Sequence, residues 1–190
     1  MRDVVVLVGS LRKASFNRKA AHALRDIAAG ALALEEVEIG DLPLYNEDLE
    51  KDVPAAWARF RDRVRRADAV LFVTPEYNRS VPGVLKNAID VGSRPYGKSV
   101  FSRKPAAVVS VTGGALGAFG ANHHLRQSLV FLDMPALQQP EMYIGGAPKL
   151  FDEQGSLIND DMRALFKRFV DAFGRWIESN STTPQLQTPK

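Results

Sequence analysis

Cysteine is absent from the 190-residue chain. Its absence excludes disulfides, thiolate catalysis and cysteine-based metal sites together. Histidine is scarce, with only His22, His123 and His124. No H-E-x-x-H or comparable spacing connects them, so a structural metal site is not expected. His123 and His124 are adjacent and point to different faces of a helix, which suits surface or subunit-contact roles better than catalysis. Two common phosphate signatures are missing as well. Without G-x-G-x-x-G a Rossmann dinucleotide site is disfavoured, and without G-x-x-x-x-G-K-[ST] so is an NTPase. No apolar run approaches the length of a membrane span. The first strand begins almost at Met1 and leaves no room for a signal peptide, so the expectation is a cytoplasmic protein with no membrane partner.

Charge of one sign is not in large excess either. The formal net charge of +3 is too small to call for a nucleic-acid partner. One dense basic cluster stands out, formed by Arg59, Arg61, Arg63, Arg65 and Arg66. Trp57, Phe60 and Val64 run through it at helical spacing, which predicts a helix with its charged face in water. Hydrophobic residues make up 45% and charged residues 25% of the chain, as in a single globular domain with one sizeable core.

What is present is an alternation of strand and helix signals. Residues 4–8 are valine and leucine throughout, the pattern of a strand buried on both faces. Ser15 is placed to cap a helix with the stripe Phe16, Ala20, Ala23 or Leu24, and Ile27. Residues 36–39 alternate and predict a half-exposed edge strand. A helix over 54–66 has Pro54 in its first turn. Strands are expected at 70–73, 106–111 and, more weakly, 136–142. Helices are expected at 82–90 and from the Gly113-Gly114 turn to about Leu132. The last helix carries Met162, Leu165, Phe166, Phe169, Val170, Phe173, Trp176 and Ile177 on one face. Residues 179–190 are polar with two prolines and read as a disordered tail, leaving one domain over 1–178. Five strands alternating with five helices imply an α/β three-layer sandwich around a parallel sheet. In the order 2-1-3-4-5, the loops after strands one and three flank the topological switch point, where ligands bind.

Both of those loops are rich in polar groups. The first runs Gly9-Ser10-Leu11-Arg12-Lys13-Ala14-Ser15-Phe16-Asn17 between a buried strand and a helix start. There the unpaired amides and the helix dipole favour an anion. Ser10, Ser15 and Asn17 can add neutral hydrogen bonds and Arg12 a charge-assisted fork, so a monophosphate fits the set. Ser15 alone means no more than a capped turn. The second loop, Pro75-Glu76-Tyr77-Asn78-Arg79-Ser80-Val81-Pro82, is stiffened by prolines. It offers the face of Tyr77 to a planar ring and the amide of Asn78 to a heteroaromatic edge. Val111, Thr112 and Gly113 end the fourth strand. They read equally well as a plain glycine turn and as donors to a bound ring, Val111 only through its backbone.

Taken together these segments resemble the NADPH-dependent FMN reductase family of flavodoxin-like proteins, including its chromate and quinone reductases. The Pro75-Glu76-Tyr77-Asn78 run matches the family's P-E-Y-N without departure, and the likeness extends from about Val4 to Ile177. The resemblance implies a flavodoxin-like fold and an FMN cofactor. It puts the 5′-phosphate and ribityl chain on Ser10, Arg12, Ser15, Phe16 and Asn17. The isoalloxazine would lie along Pro75, Glu76, Tyr77 and Asn78, with further contacts at Val111, Thr112 and Gly113. NADPH or NADH would deliver hydride and a small-molecule acceptor would remove the electrons: a quinone, free flavin, chromate, or an azo or nitro compound. No side chain need be an acid or base, so no catalytic residue is expected. A homodimer or homotetramer is implied, and Arg79 and Arg94 are candidates for the 2′-phosphate of NADPH. Two other classes remain open. A one-electron flavodoxin carrier shares the fold, although such carriers tend to be acidic and have a threonine-rich phosphate loop. A flavin- or nucleotide-sensing module is the other. A phosphorylation receiver is disfavoured, since Val8-Gly9 and Thr74-Pro75 stand where aspartates would be needed.

Overall fold

The computed structural model describes residues 1–181. Five parallel strands form one sheet in the order β2-β1-β3-β4-β5. They are β1 (Arg2–Val8), β2 (Leu32–Glu36), β3 (Ala69–Thr74), β4 (Ala106–Val111) and β5 (Met142–Ile144). The helices are α1 (Phe16–Ala28), α2 (Ala55–Arg66), α3 (Gly83–Ser93), α4 (Phe119–Phe131) and α5 (Asp160–Ser181), with short 3-10 turns at Glu47–Lys51 and Ala147–Lys149. Successive side chains of a strand face opposite sides, and the two faces of β1 divide accordingly. Val4, Val6 and Val8 pack with α1 and α5. Val5 and Leu7 pack with α2, α3 and α4. Burial on both faces accounts for the unbroken apolar runs of β1, β3 and β4.

The flavodoxin-like sandwich expected from the alternating pattern is therefore observed, with local corrections. β2 lies four residues earlier than the alternation at 36–39 suggested. Leu32 and Leu34 are the inward pair, in register with Arg2 and Val4. Ile39 is buried too, but in the opposite core, because the chain has by then crossed the sheet edge. β5 is later and shorter than 136–142. Ala136 makes one isolated bridge to Ala106, and pairing resumes only at Met142. Pro140 lies between them and has no N–H for a ladder. α4 starts at Phe119, after left-handed Gly117 (φ 61°) and Ala118 (φ 57°), so the loop after β4 is longer than expected.

The basic helix α2 departs furthest from its expected character. Trp57, Phe60 and Val64 are buried as expected, but the arginines are not simply solvated. Arg61 is 7% exposed, donates Nε to Val91 O at 2.9 Å and pairs with Glu50. Arg63 reaches both Asp3 and Glu35, Arg59 pairs with Asp41 and Arg65 with Asp62. Intramolecular carboxylates thus take up most of this cluster. The predicted tail boundary also moves. α5 continues through residues 179–181, where Ser179 Oγ and Asn180 Nδ2 donate to carbonyls one turn back. The rest of the predicted tail, 182–190, lies outside the described residues. Among the described residues no helix is long and apolar enough to cross a membrane.

Candidate functional site

The carboxyl ends of β1, β3 and β4 are neighbours in the sheet, and their loops converge. Gly9 N donates to Val73 O at 2.8 Å, carrying the β1–β3 ladder into the first loop. A Cβ at Gly9 would lie 3.2 Å from Thr74 Oγ1 and 3.3 Å from Pro75 Cδ. Glycine at this position therefore lets the two loops lie against each other. The third loop joins through Asn17, whose Nδ2 donates to Val111 O at 3.2 Å.

In the first loop Ser15 caps α1, accepting at Oγ from Arg18 N at 3.4 Å. Ser10, Ser15 and Asn17 are all buried, and Phe16 is half-buried against the α1–α5 core. Arg12 is exposed; its carbonyl accepts from Arg18 Nη1, while Arg18 Nε pairs with Glu36. Among the described residues the Arg12 guanidinium makes no ion pair. Asn17 Oδ1 is buried with no hydrogen-bond partner among the described residues. A buried amide oxygen of this kind carries a desolvation cost until a donor meets it.

The second loop is a tight turn. Tyr77 and Ser80 exchange backbone hydrogen bonds of 3.1 and 2.9 Å, and Asn78 and Arg79 both have positive φ, 51° and 63°. That is the geometry of a type I′ turn. It presents Tyr77 (49% exposed), Asn78 and Arg79 outward at the sheet's carboxyl edge. Glu76 does not share this exposure. Its carboxylate turns to α4, accepting from Ala121 N at 3.1 Å and from Arg79 Nη1 at 3.4 Å. Arg94, by contrast, lies at the far end of α3, about 16 Å of helix from its start at Gly83. It donates to Ser93 Oγ at 3.2 Å.

The third loop has much of its backbone engaged within the chain. Thr112 N is already donated to Ile144 O at 2.9 Å, and Thr112 O accepts from Ala147 N. Val111 is fully buried and its carbonyl serves Asn17. Gly113 is left exposed, its nearest neighbour Pro148 at 3.7 Å from an added Cβ. Behind the loop, Ser110 Oγ donates to Gly117 O and accepts from Asn122 Nδ2, and Asn122 Oδ1 accepts from Arg126. Residue pattern alone had not pointed to this buried network. The two adjacent histidines diverge, as helix geometry requires. His123 packs on Phe119 and Tyr143, while His124 Nδ1 meets Ser80 Oγ at 2.9 Å. Tyr143 donates to Glu141 Oε1 at 2.8 Å; burial, reinforced by that carboxylate, pushes its hydroxyl up to about 12. A 620 Å³ groove lined by Met1, Arg2, Leu32 and Arg175 lies at the opposite ends of the strands and has no part in this site.

A five-stranded 2-1-3-4-5 sheet, with a polar helix-capping loop after β1 and a projecting turn after β3, defines a flavodoxin-like protein with these loops at its switch point. Residues 2–149 match the model of the NADPH-dependent FMN reductase family, and the chain belongs to that family. It is 65% identical over 179 residues to a quinone reductase of Pseudomonas putida, covering 94% of this chain and 96% of the relative. It is 43% identical over 174 residues to a 2-hydroxy-1,4-benzoquinone reductase of a Burkholderia species, covering 92% and 95%. Among solved structures it resembles FerB, the flavoenzyme NAD(P)H:(acceptor) oxidoreductase of Paracoccus denitrificans, with a TM-score of 0.90 and 42% identity over 95% of this chain and 99% of that one.

Proposed function

We propose that the loops after β1, β3 and β4 hold FMN and that the protein is an NAD(P)H-dependent quinone reductase. The observation that carries the reading is Asn17 Oδ1, a buried acceptor with no partner among the described residues, at the junction of the first and third loops. A hydroxyl of a ribityl chain is the kind of donor it lacks. Beside it the amides that open α1, the hydroxyls of Ser10 and Ser15, and the unpaired guanidinium of Arg12 suit a phosphate monoester. The donor set fits FMN, with Ser10, Arg12, Ser15, Phe16 and Asn17 on the phosphate and ribityl side. Pro75, Glu76, Tyr77 and Asn78 would border the ring, Tyr77 and Asn78 by direct contact, and Gly113 would lie at its pyrimidine edge.

FMN, when bound, supplies two-electron chemistry: hydride accepted from the nicotinamide and passed on to the acceptor. The chain's own residues bind and orient. The turn at Tyr77–Ser80 fixes one wall and the α1 N-terminus fixes the anion, leaving a planar acceptor room to approach from the solvent side. No acid or base is needed from a side chain. A quinone is favoured as acceptor because two of the similar proteins carry quinone reductase names at 65% and 43% identity. An oligomer is proposed as well, since Leu116, Phe119, Val130 and Phe131 on and before α4 are all more than half exposed. A cytoplasmic location accords with dependence on NAD(P)H.

The deciding experiment is the visible spectrum of the purified protein during anaerobic addition of NADPH, followed by a quinone. Bleaching of a flavin band and its return with quinone is the expected result. Release of FAD on heating, or a band that NADPH leaves unchanged, would overturn the reading.

A further inference from the structure

Glu76 and Ser80 stand at the two ends of the turn that projects Tyr77, Asn78 and Arg79, and α4 holds both. At one end Glu76 accepts the amide of Ala121, which lies in the first turn of α4 and has no acceptor within the helix. At the other end His124 Nδ1 meets Ser80 Oγ at 2.9 Å. Residues 121 and 124 are three apart and so share one face of α4. Gly120 lets the turn come close: a Cβ there would lie 2.9 Å from both Arg79 O and Glu76 Oε2. The tethered carboxylate is well covered, its side chain 14% exposed, whereas Arg79 beside it is 76% exposed. Asn78 and Arg79 both occupy the left-handed region, which costs a non-glycine residue free energy and persists only where the surroundings impose it.

From this juxtaposition we infer that Glu76 and His124 form a two-point clamp that fixes the turn on α4, and that both are positioning residues for the flavin reaction. Neither acts through contact with the ring: Glu76 acts by capping α4 and His124 by holding Ser80. The inference rests on the reading that this turn borders FMN. The carboxylate of the family's P-E-Y-N run then serves the fold of the site, and only its neighbours Tyr77 and Asn78 serve the ligand.

The test uses full-length protein with Glu76→Ala, Glu76→Gln and His124→Ala. Hydrogen exchange of the Tyr77 and Ser80 amides, which carry the turn's own hydrogen bonds, reads the clamp without flavin. Expected is at least a tenfold rise in their exchange for Glu76→Ala and a smaller rise for His124→Ala, with amides of β1 and β3 unchanged. FMN affinity should fall about tenfold in Glu76→Ala, and the flavin band should shift. Glu76→Gln keeps an acceptor for Ala121 N and should restore both to within a few-fold. Unchanged exchange in Glu76→Ala and His124→Ala overturns the clamp, and so does a Gln variant as impaired as the Ala variant. Faster exchange with unaltered FMN affinity overturns the positioning role. Failure of the unaltered protein to bind FMN strikes the functional reading, and the exchange result then decides the clamp alone. His124 is exposed, so its variant keeps the test open if Glu76→Ala does not fold.

Discussion

Asn17 donates its side-chain amide to Val111 O at 3.2 Å while its own Oδ1 stays buried without a partner among the described residues. One end of the side chain is thus spent on joining the first loop to the third, and the other is held ready. The direction of the amide follows from the carbonyl it faces, since only the nitrogen can donate there. Asn17→Ala removes both ends, and the group it would meet is common to FMN and riboflavin. The expected loss is about 1–2 kcal/mol of binding for either ligand, measured by fluorescence titration. A loss confined to FMN would place Asn17 on the phosphate instead.

Arg12 should show the opposite selectivity. Its guanidinium is exposed beside the first turn of α1 and makes no ion pair among the described residues. Arg12→Ala should weaken FMN by about 1.5–3 kcal/mol, very roughly ten- to a hundred-fold. Riboflavin, which has no phosphate, should bind the variant as it binds the unaltered protein. Turnover should return at high added FMN.

Arg79 and Arg94 separate cleanly as candidates for the 2′-phosphate of NADPH. Arg79 stands at the tip of the projecting turn with its side chain 76% exposed, while Arg94 closes the far end of α3. Arg79→Ala should raise KM for NADPH several-fold more than KM for NADH. Arg94→Ala, assayed with protomers of one kind, should leave the ratio of the two unchanged. Equal effects of Arg79→Ala on both nucleotides would assign it a structural role.

Arg61 tests stability and not chemistry. Its side chain is 9% exposed and that of Glu50 15%, and the arginine also holds Val91 O and stacks on Trp57 with its guanidinium 5.3 Å from the ring centre. Arg61→Ala strands a covered carboxylate and should cost about 3–5 kcal/mol. The thermal midpoint should drop by on the order of 10 °C. Arg61→Lys should recover little, since one ammonium cannot serve both Glu50 oxygens and Val91 O in the same planar geometry.

Tyr143 carries a pH signature. Its hydroxyl is raised by burial and then by Glu141, to about 12 when folded against about 10 when unfolded. The folded state therefore keeps the proton that the unfolded state gives up first. The stabilisation from the neutral hydroxyl is complete below pH 10 and is lost between about pH 10 and 12. In Tyr143→Phe the decline in stability over that window should be shallower, and the last step of the tyrosinate absorbance titration should vanish. An identical decline in both proteins would mean that Tyr143 titrates as a free phenol.

The parts of the fold that could be read from residue types alone were those whose partners are imposed by burial. A strand with no polar face, such as residues 4–8, has only the centre of a parallel sheet to occupy, and α5 declares its stripe over about four turns, from Met162 to Ile177. Edges were harder. β2 pairs on one side only, so burial constrains it weakly; the alternation at 36–39 pointed to the wrong stretch, and the ladder with β1 takes 32–36 instead. The basic helix misled because pairing partners such as Asp3, Glu35 and Glu50 are distant in sequence. For the site, the two loops stood out by composition. What could not be read was how their side chains divide the work. Glu76 turning inward and Thr112 being used by β5 are tertiary outcomes that no local pattern encodes.

The Asn17–Val111 bond spans 94 residues, and the bond from Gly9 N to Val73 O closes another long loop. Neither can exist until β1, β3 and β4 have docked in register, because each crossover must close at an entropic cost before its contacts form. Flavin held by these loops, as proposed above, would favour the completed sheet and draw the folding equilibrium toward it in proportion to the logarithm of its free concentration. Cellular riboflavin supply would then set how much of this protein survives proteolysis as well as how much of it is active.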